Sequence, residues 1–289
     1  MRATPNSWER GQEANLLRLG HGIPFLPAPP SPRLIGLIQL VVCFLVLAPG
    51  LGVAGDDTWQ VAYTNRVRLT LARARERFQD DTNSVKAAWE LGRALFDFSR
   101  ITTNNSQQAE IAREGIQVCH HAISINPTSA PARYYLGMHF GQLADTIRNF
   151  SALKLVKEME REFQTAAGLD QNLDYAGPHR SLGLLYFQAP VLISIGSRSK
   201  ARKHLERAVE LAPDYPDNRL NLAEAYLKWG DRVSARRELK AMETLCPEAR
   251  KTLTGDEWTP EWAEWDSRLK ALEKKLSQPS KALSSPHHD

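Results

Sequence analysis

Residues 216–249 read PDNRLNLAEAYLKWGDRVSARRELKAMETLCPEA. The first half carries the pair Leu222-Ala223, and Tyr226 follows three positions after the alanine. The second half places apolar or small residues three and four positions apart, which is the spacing of one helical face; these are Ala235, Leu239 and Met242. Pro247 then follows and is expected to end the second helix, because proline has no N–H to donate. The stretch therefore predicts two antiparallel helices.

Three earlier segments repeat this pattern, each with a Leu-Gly pair and a large residue three positions after the glycine. The pairs are Leu91-Gly92, Leu136-Gly137 and Leu182-Gly183, followed by Leu95, Phe140 and Tyr186. A single helical hairpin cannot bury its apolar face, so several must stack. We expect hairpins over residues 85–129, 130–173, 174–215 and 216–249.

The repeated unit resembles the tetratricopeptide repeat, whose template is W-x2-L-G-x2-Y, then A-x3-F, then P. This resemblance implies an all-α, tetratricopeptide-like α-solenoid of about four helical hairpins with capping helices at both ends. The small residue of each pair is expected to let two helices approach closely. Glycine is a poor helix former, so Gly183→Ala is expected to be mild or stabilising.

The flanking segments are predicted to cap the stack. Residues 55–84 are expected to hold an N-terminal helix, residues 250–276 a C-terminal capping helix, and residues 277–289 a loose tail. An apolar stripe on the C-terminal helix should cover the last hairpin; it consists of Trp262, Trp265, Leu269, Leu272 and Leu276. The apolar loop 188–197 is expected either to leave the concave groove open or to fill it.

Composition excludes several classes of protein. The chain is 42% hydrophobic and 24% charged, values that collagen-like, disordered and multi-span membrane proteins do not have. Residues 55–289 carry 33 basic and 31 acidic side chains, and the signs alternate in stretches such as 200–207. Nucleic-acid binding requires clustered cations, so no nucleic-acid partner is expected.

No catalytic, cofactor or metal motif is present. GxSxG, GxxxxGK[ST] and HExxH are all absent, and we expect no enzyme activity and no cofactor. Asp170 and Asp174 are interpreted as helix caps. Cys119 and Cys246 are expected to be free thiols, and the histidines of the repeats are interpreted as surface or boundary residues rather than metal ligands.

Residues 34–48 read LIGLIQLVVCFLVLA, and residues 34–54 contain no charge. The apolar run of 15 residues is shorter than the roughly 20 that span a bilayer. Small residues stand at Gly52 and Ala54, where a signal peptidase requires them. The leader 1–54 is therefore interpreted as a secretory signal or an uncleaved N-terminal anchor. Both readings give an extracytoplasmic protein, periplasmic or secreted, whose only membrane contact is an uncleaved leader.

Residues 176–230 contain AGPHRSLG, then APVLISIG, then KARKHLERAVELAPDYPDNRLNLAEA. This block resembles the T component associated with TRAP transporters and, less closely, the regulator-of-microtubule-dynamics family. The first resemblance implies a helical bundle outside the cytoplasm that assists a solute-binding protein. It also implies an apolar ligand cavity and allows a homo-oligomer.

In the repeat register, the first helix of each hairpin lines the concave groove. Eight of the twelve inward positions are large and apolar, which favours an apolar ligand, an amphipathic helix or the protein's own covering loop. The predicted binding residues are Trp89, Arg93, Phe96, Tyr134, Met138, Arg180, Leu184, Phe187, Leu220 and Glu224. The expected function is an exported, non-catalytic scaffold that binds a protein or an apolar small molecule. A general assembly scaffold of the cell envelope and a regulator-of-microtubule-dynamics-like repeat protein are the alternatives.

The leader generates a first prediction. Cleavage after Ala54 should give a mature protein that begins near Gly55. N-terminal sequencing of the extracytoplasmic product measures this directly. Recovery of a soluble cytoplasmic product that still begins at Met1 would contradict the export interpretation.

Overall fold

A computed structural model describes residues 58–147, 151–191 and 194–278. The leader 1–54 and most of the predicted tail lie outside these described residues. All regular secondary structure in the described part is helical. The helices are α1 (Thr58–Asp80), α2 (Val85–Arg100), α3 (Asn105–Ile125), α4 (Ala130–Ile147), α5 (Ser151–Leu169), α6 (Leu173–Gln188), α7 (Arg198–Leu211), α8 (Pro216–Lys228), α9 (Arg232–Thr252) and α10 (Thr259–Ser277).

Eight of these helices pair into four consecutive hairpins, α2–α3, α4–α5, α6–α7 and α8–α9. Helix α1 packs against α2, and α10 packs against α8 and α9. The predicted fold class, an α-solenoid of four hairpins with a capping helix at each end, is confirmed. No helix in the described ranges is both long and apolar enough to cross a bilayer.

Side chains just before several helices fix where those helices begin. Ser84 Oγ accepts the backbone N–H of Ala87 at 3.2 Å before α2, and Asp231 Oδ1 accepts that of Ser234 at 3.0 Å before α9. Such bonds satisfy amide groups that have no partner inside the helix. The hairpin boundaries are therefore encoded locally.

Pro247 does not end its helix as expected, because α9 continues through it to Thr252. The extra turn is held by burial: Ala249 and Leu253 pack with Trp262 in one apolar cluster. The Nε1–H of Trp262 also donates to the Leu253 carbonyl at 2.8 Å. The stabilisation from burying these side chains is thus larger than the cost of the backbone hydrogen bond that proline cannot donate.

The small residue of each Leu-Gly pair lies against the second helix of its own hairpin. Gly92 faces Cys119, Gly137 faces Phe163 and Gly183 faces Leu205. A Cβ atom placed on Gly183 would lie 2.7 Å from Leu205 Cγ and 3.0 Å from the Leu205 backbone nitrogen. Both distances are shorter than ordinary van der Waals contact, so the expectation that alanine fits at this position is wrong.

Helix α10 reaches further than the predicted cover over the last hairpin. Its residues Trp265 and Leu272 pack on α8 and α9, as the apolar stripe requires. The segment around its start also meets the first helices of the chain. Arg66 of α1 lies 2.9 Å from Glu257, and Arg100 of α2 lies 3.6 Å from Glu261. The C-terminal helix therefore contributes to the concave side of the repeats.

The contact at Gly183 generates a second prediction. Gly183→Leu should overpack the α6–α7 contact and lower the free energy of unfolding by about 1–3 kcal/mol. Gly183→Ala should also destabilise, by a smaller amount, because the clash outweighs the helix propensity of about 1 kcal/mol that alanine gains.

Thermal and urea melts of both variants measure the effect. Gly168→Ala is the matched control, since no atom lies within 4 Å of a Cβ built there. Equal stability of the wild type and both Gly183 variants would show that this contact is placed incorrectly.

Candidate functional site

A cleft of about 570 Å³ lies on the concave side, between the first helices of the hairpins and α10. Its lining is unusually rich in charge for a groove predicted to be apolar: it contains four arginines and seven carboxylates. The lining residues are Arg93, Phe96, Asp97, Arg100, Tyr134, Tyr135, Met138, Asp174, Arg180, Ser181, Leu184, Tyr215, Asp217, Asn221, Glu224, Glu257, Trp258, Glu261, Glu264, Trp265 and Arg268.

Seven of the ten predicted binding residues line this cleft: Arg93, Phe96, Tyr134, Met138, Arg180, Leu184 and Glu224. The other three do not. Trp89 stacks on Tyr135, with ring centroids 6.4 Å apart and planes 5° apart. Phe187 meets the edge of Trp229 at 5.6 Å. Leu220 is fully buried among side chains of α9 and α10, so its assignment to the groove is wrong.

The expectation of an apolar groove is also wrong for this cleft. Much of the charge comes from positions that the repeat register did not point to, such as Asp97 and Asp217, and from α10, which supplies Glu261, Glu264 and Arg268. These three residues form a polar stripe beside the apolar stripe of the same helix. The stripe is visible in the sequence, but its position across the groove depends on contacts between distant parts of the chain.

Arg180 of α6 is the central cation of the cleft. One terminal nitrogen lies 3.2 Å from Asp174 Oδ2, and Nε lies 3.4 Å from Asp217 Oδ2. The guanidinium also lies over the Tyr215 ring, 5.1 Å from its centroid. Tyr134 donates its hydroxyl proton to the same Asp174 carboxylate at 3.2 Å. Arg180 thereby joins side chains of α4, α6 and α8.

The turn that opens α6 has an unusual backbone. Asp174, Tyr175 and Ala176 have φ values of 51°, 55° and 62°, in the left-handed region. Each such residue costs about 1–2 kcal/mol relative to a right-handed conformation. Buried donors compensate: Asn218 Nδ2 donates to the Tyr175 carbonyl at 3.0 Å, and Arg180 donates to the same carbonyl at 3.2 Å.

This turn corrects the interpretation of two aspartates as helix caps. Asp174 instead turns its carboxylate toward Arg180 in the cleft. Asp170 accepts the backbone N–H of Asn172 at 2.9 Å and so shapes the turn between α5 and α6. Strained backbone of this kind is typical of functional sites.

Arg268 forms a second centre, on the α10 side of the cleft. Its Nε donates to Glu224 at 3.0 Å, and its terminal nitrogens donate to Asp217 at 2.7 Å and to Asn221 Oδ1 at 2.6 Å. Asp217 therefore accepts from Arg268 and pairs with Arg180. These bonds fix α10 against α8.

Two buried polar atoms of the lining have no hydrogen-bond partner among the described residues, Asn221 Nδ2 and Glu261 Oε2. The Asn221 residue is only 2% exposed, so water does not readily satisfy its amide. The lining of the cleft thus holds, just beneath its surface, one donor and one acceptor without a partner.

Burial raises the pKa of two carboxyl groups in the cleft. The pKa of Asp97 rises to about 6 through burial, although Arg100 and Arg93 partly oppose the shift. Burial also raises the pKa of Glu264, again against a neighbouring arginine, Arg268. The cleft therefore holds carboxylates whose negative charge is only partly compensated.

His139 is not at a surface or boundary as expected but is completely buried, with Nε2 2.8 Å from the Gly92 carbonyl. Cys119 is buried, and neither it nor Cys246 forms a disulfide within the described residues. The same part of the chain contains no group of three His, Cys, Asp or Glu side chains that could hold a metal ion.

Comparison with known proteins agrees with the repeat pattern. Residues 194–243 match the sequence profile of a tetratricopeptide repeat family. The chain carries tetratricopeptide-like repeats. Residues 60–195 match the profile described as "Regulator of microtubule dynamics protein 1-3", which covers slightly less than half of the chain. The resemblance to the T component of TRAP transporters stays a prediction.

Two solved structures of low sequence identity are similar to this chain. The tetratricopeptide-repeat protein TTC0263 of Thermus thermophilus is 18% identical, with a TM-score of 0.52 over 74% of this chain and 94% of its own. MamA is 19% identical, with a TM-score of 0.43 over 69% of this chain and 98% of its own. No protein of curated function matches this chain in sequence. The tetratricopeptide-like fold is generally a non-catalytic scaffold for protein interaction.

The left-handed turn generates a third prediction. Ala176→Gly should leave the free energy of unfolding within about 1 kcal/mol of wild type, because relief of the left-handed strain offsets the lost methyl group and the greater chain entropy of glycine. Ala112→Gly is the control: Ala112 is equally buried but lies inside the regular helix α3. That variant should lose about 2 kcal/mol. Urea melts compare the two, and equal losses would show that the turn is not left-handed.

Proposed function

We propose that this protein is an exported tetratricopeptide-like scaffold whose concave cleft binds an extended segment of a partner protein through a Lys or Arg side chain of that segment. The observation that carries the proposal is the excess of seven carboxylates over four arginines in one cleft. Such an excess attracts a cation and repels an acidic ligand. A purely apolar ligand is also disfavoured, because it would take the charges out of water without pairing them.

The walls of the cleft suit a cationic side chain. Trp258 is half-buried and places an aromatic ring beside the carboxylates, and Tyr135 and Tyr215 line the same cleft. A cation gains from the face of an aromatic ring and from a neighbouring negative charge at the same time. The raised pKa of Asp97, about 6, supports the same conclusion, because a bound cation would offset the cost of holding that carboxylate ionised in a buried place.

The unused polar atoms suit the backbone of an extended segment. Both atoms are buried in the unbound protein, so a peptide reaches them only when the lining side chains move aside; its carbonyl groups then suit the Asn221 Nδ2 donor and its amide N–H groups the Glu261 Oε2 acceptor. The volume of about 570 Å³ falls within the range of small-ligand sites, so the cleft holds a few residues rather than a folded domain.

The candidate partners differ with the cellular location of the protein. If the leader directs export, a solute-binding protein of a TRAP-type transporter is the first candidate, and a protein of cell-envelope assembly is the second. The match of residues 60–195 to regulators of microtubule dynamics gives a separate candidate, the microtubule. Two measurements distinguish these candidates: co-sedimentation of the protein with assembled microtubules, and the location of the protein in the cell.

The fourth prediction tests the cleft. A fluorescein-labelled Gly/Ser heptapeptide with two arginines should bind with measurable fluorescence anisotropy, whereas the same peptide with two glutamates should not. Asp97→Asn and Glu261→Gln should each weaken binding about tenfold, since each removes a charge that the cation meets. The affinity of the wild type should rise between pH 5 and pH 7, as Asp97, with its pKa of about 6, ionises.

Asp80→Asn is the matched control, because Asp80 is exposed at the end of α1 and does not line the cleft. It removes the same charge and should leave binding within about twofold of wild type. The Asp97→Asn variant should also lose most of the rise in affinity with pH. Preference for the glutamate peptide, or equal loss in the control, would reject the proposal.

A further inference from the structure

A second groove, of about 800 Å³, runs along α7, and its lining shares no residue with that of the cleft. Its lining includes the turn residue Gln171 before α6 and one face of α7. We call this surface the outer groove and define it by His179, Arg198, Arg202, Lys203, His204 and Arg207. None of these residues lines the concave cleft.

Two arginines of the outer groove are held by an aromatic side chain instead of by a carboxylate. The guanidinium groups of Arg198 and Arg202 lie 5.3 Å and 5.7 Å from the centroid of the same Trp229 ring. Arg202 also lies 5.5 Å from the centroid of Tyr226. Stacking on a ring fixes a guanidinium in place and leaves its N–H groups free to donate.

Among the described residues, no carboxylate pairs with Arg198, Arg202 or Lys203, and no acceptor takes a hydrogen bond from them. The neighbouring cations differ in this respect. Arg207 pairs with Glu210 at 2.9 Å, and Lys200 lies 3.6 Å from Glu160. The pairing of neighbours shows that carboxylates are within reach on this surface, so three unpaired cations in one groove need a separate explanation.

The outer groove keeps a net positive charge, because its four cations face only two carboxylates, Glu206 and Glu210. Glu206 accepts the Tyr226 hydroxyl proton at 2.6 Å, and Glu210 is paired with Arg207. His179 and His204 approach each other with their Nδ1 atoms 3.0 Å apart. Burial lowers the pKa of both imidazoles, that of His204 to about 4, so both are neutral at pH 7.

We propose that the outer groove binds an acidic segment of a partner protein, with Asp or Glu carboxylates that accept bidentate hydrogen bonds from Arg198 and Arg202. The planar guanidinium matches a carboxylate in this geometry. The α7 face from Arg198 to Glu210 is about 18 Å long at 1.5 Å per residue, enough for about five residues of an extended peptide. This site differs from the proposed cleft function in face, in charge and in ligand, and does not rest on it.

The test uses a fluorescein-labelled pentapeptide of alternating Glu and Asp, with a Gln/Asn peptide of the same length as reference. The acidic peptide should bind and the neutral peptide should not. Arg198→Gln with Arg202→Gln should weaken binding by about tenfold or more. Arg198→Lys with Arg202→Lys keeps both charges but loses the planar donors, and should still weaken binding about threefold.

Lys154→Gln with Lys157→Gln is the matched control. Both lysines are exposed on α5, so the pair removes the same total charge from the neighbouring hairpin. It should change the affinity less than twofold. Circular-dichroism melts of all variants should differ by only a few degrees, since Arg198 is exposed and Arg202 is half-buried and makes only ring contacts.

Three outcomes would overturn the proposal. The first is equal loss of binding in the control and the glutamine variant, which would indicate general charge attraction. The second is unchanged binding in the glutamine variant. The third is absence of peptide binding together with arginine-dependent binding to phosphatidylcholine vesicles that contain 30% phosphatidylserine, or to a DNA duplex, since the groove would then serve a different class of partner.

Discussion

In three of the four hairpins the distance between the two helices is set by a glycine, which has no side chain, and the rest of the molecule depends on that distance. At Gly183 the backbone approaches Leu205 so closely that not even a methyl group fits between them. Gly137 has the same relation to Phe163. Helices packed this closely exclude water from their shared face, so each hairpin becomes a compact unit on which the next one stacks. The first helices then share one side, where the cleft forms.

The polar centre of the cleft is built over this apolar frame. Arg180 and Arg268 come from helices far apart in the chain, yet both meet Asp217 on α8. Breaking a buried charge pair is costly, because the remaining partner stays desolvated. The pairs therefore hold the left-handed turn of α6 and the position of α10 together, which links the geometry of the cleft to the stability of the last two hairpins.

The fold could be predicted from the sequence because its signals are local. A pattern of five residues, such as Leu182-Gly183 with Tyr186, predicts a contact between two helices. Four copies of this pattern predict the stack. The cleft could be predicted only in part. Arg180 and Tyr134 occupy register positions that face it, but Arg268 reaches it through a helix whose path depends on packing of Trp265.

Other wrong predictions also arise where contacts between distant residues decide the structure. Pro247 predicts a helix end because it has no N–H to donate. Helix α9 nevertheless continues past it, because Ala249 and Leu253 are buried. The positive φ values of Tyr175 and Ala176 have no local signal, since neither is a residue type that favours the left-handed region. The unpaired cations on α7 lie in a stretch where basic and acidic residues alternate, so the sequence does not show that they lack partners. The contacts show that Glu206 and Glu210 already bond to other side chains.

The meeting of the C-terminal segment with the first helices has a consequence for how such a protein can change during evolution. Open repeat arrays gain or lose units easily, because a new unit needs only one neighbour on each side. Here Arg66 pairs with Glu257 and Arg100 pairs with Glu261, so the first helices of the array contact its C-terminal helix segment. Duplication of one hairpin would separate these partners and remove α10 from the cleft. The contact between the two ends thereby ties the cleft to a fixed number of repeats, so a change that keeps the cleft must alter single residues instead of whole units.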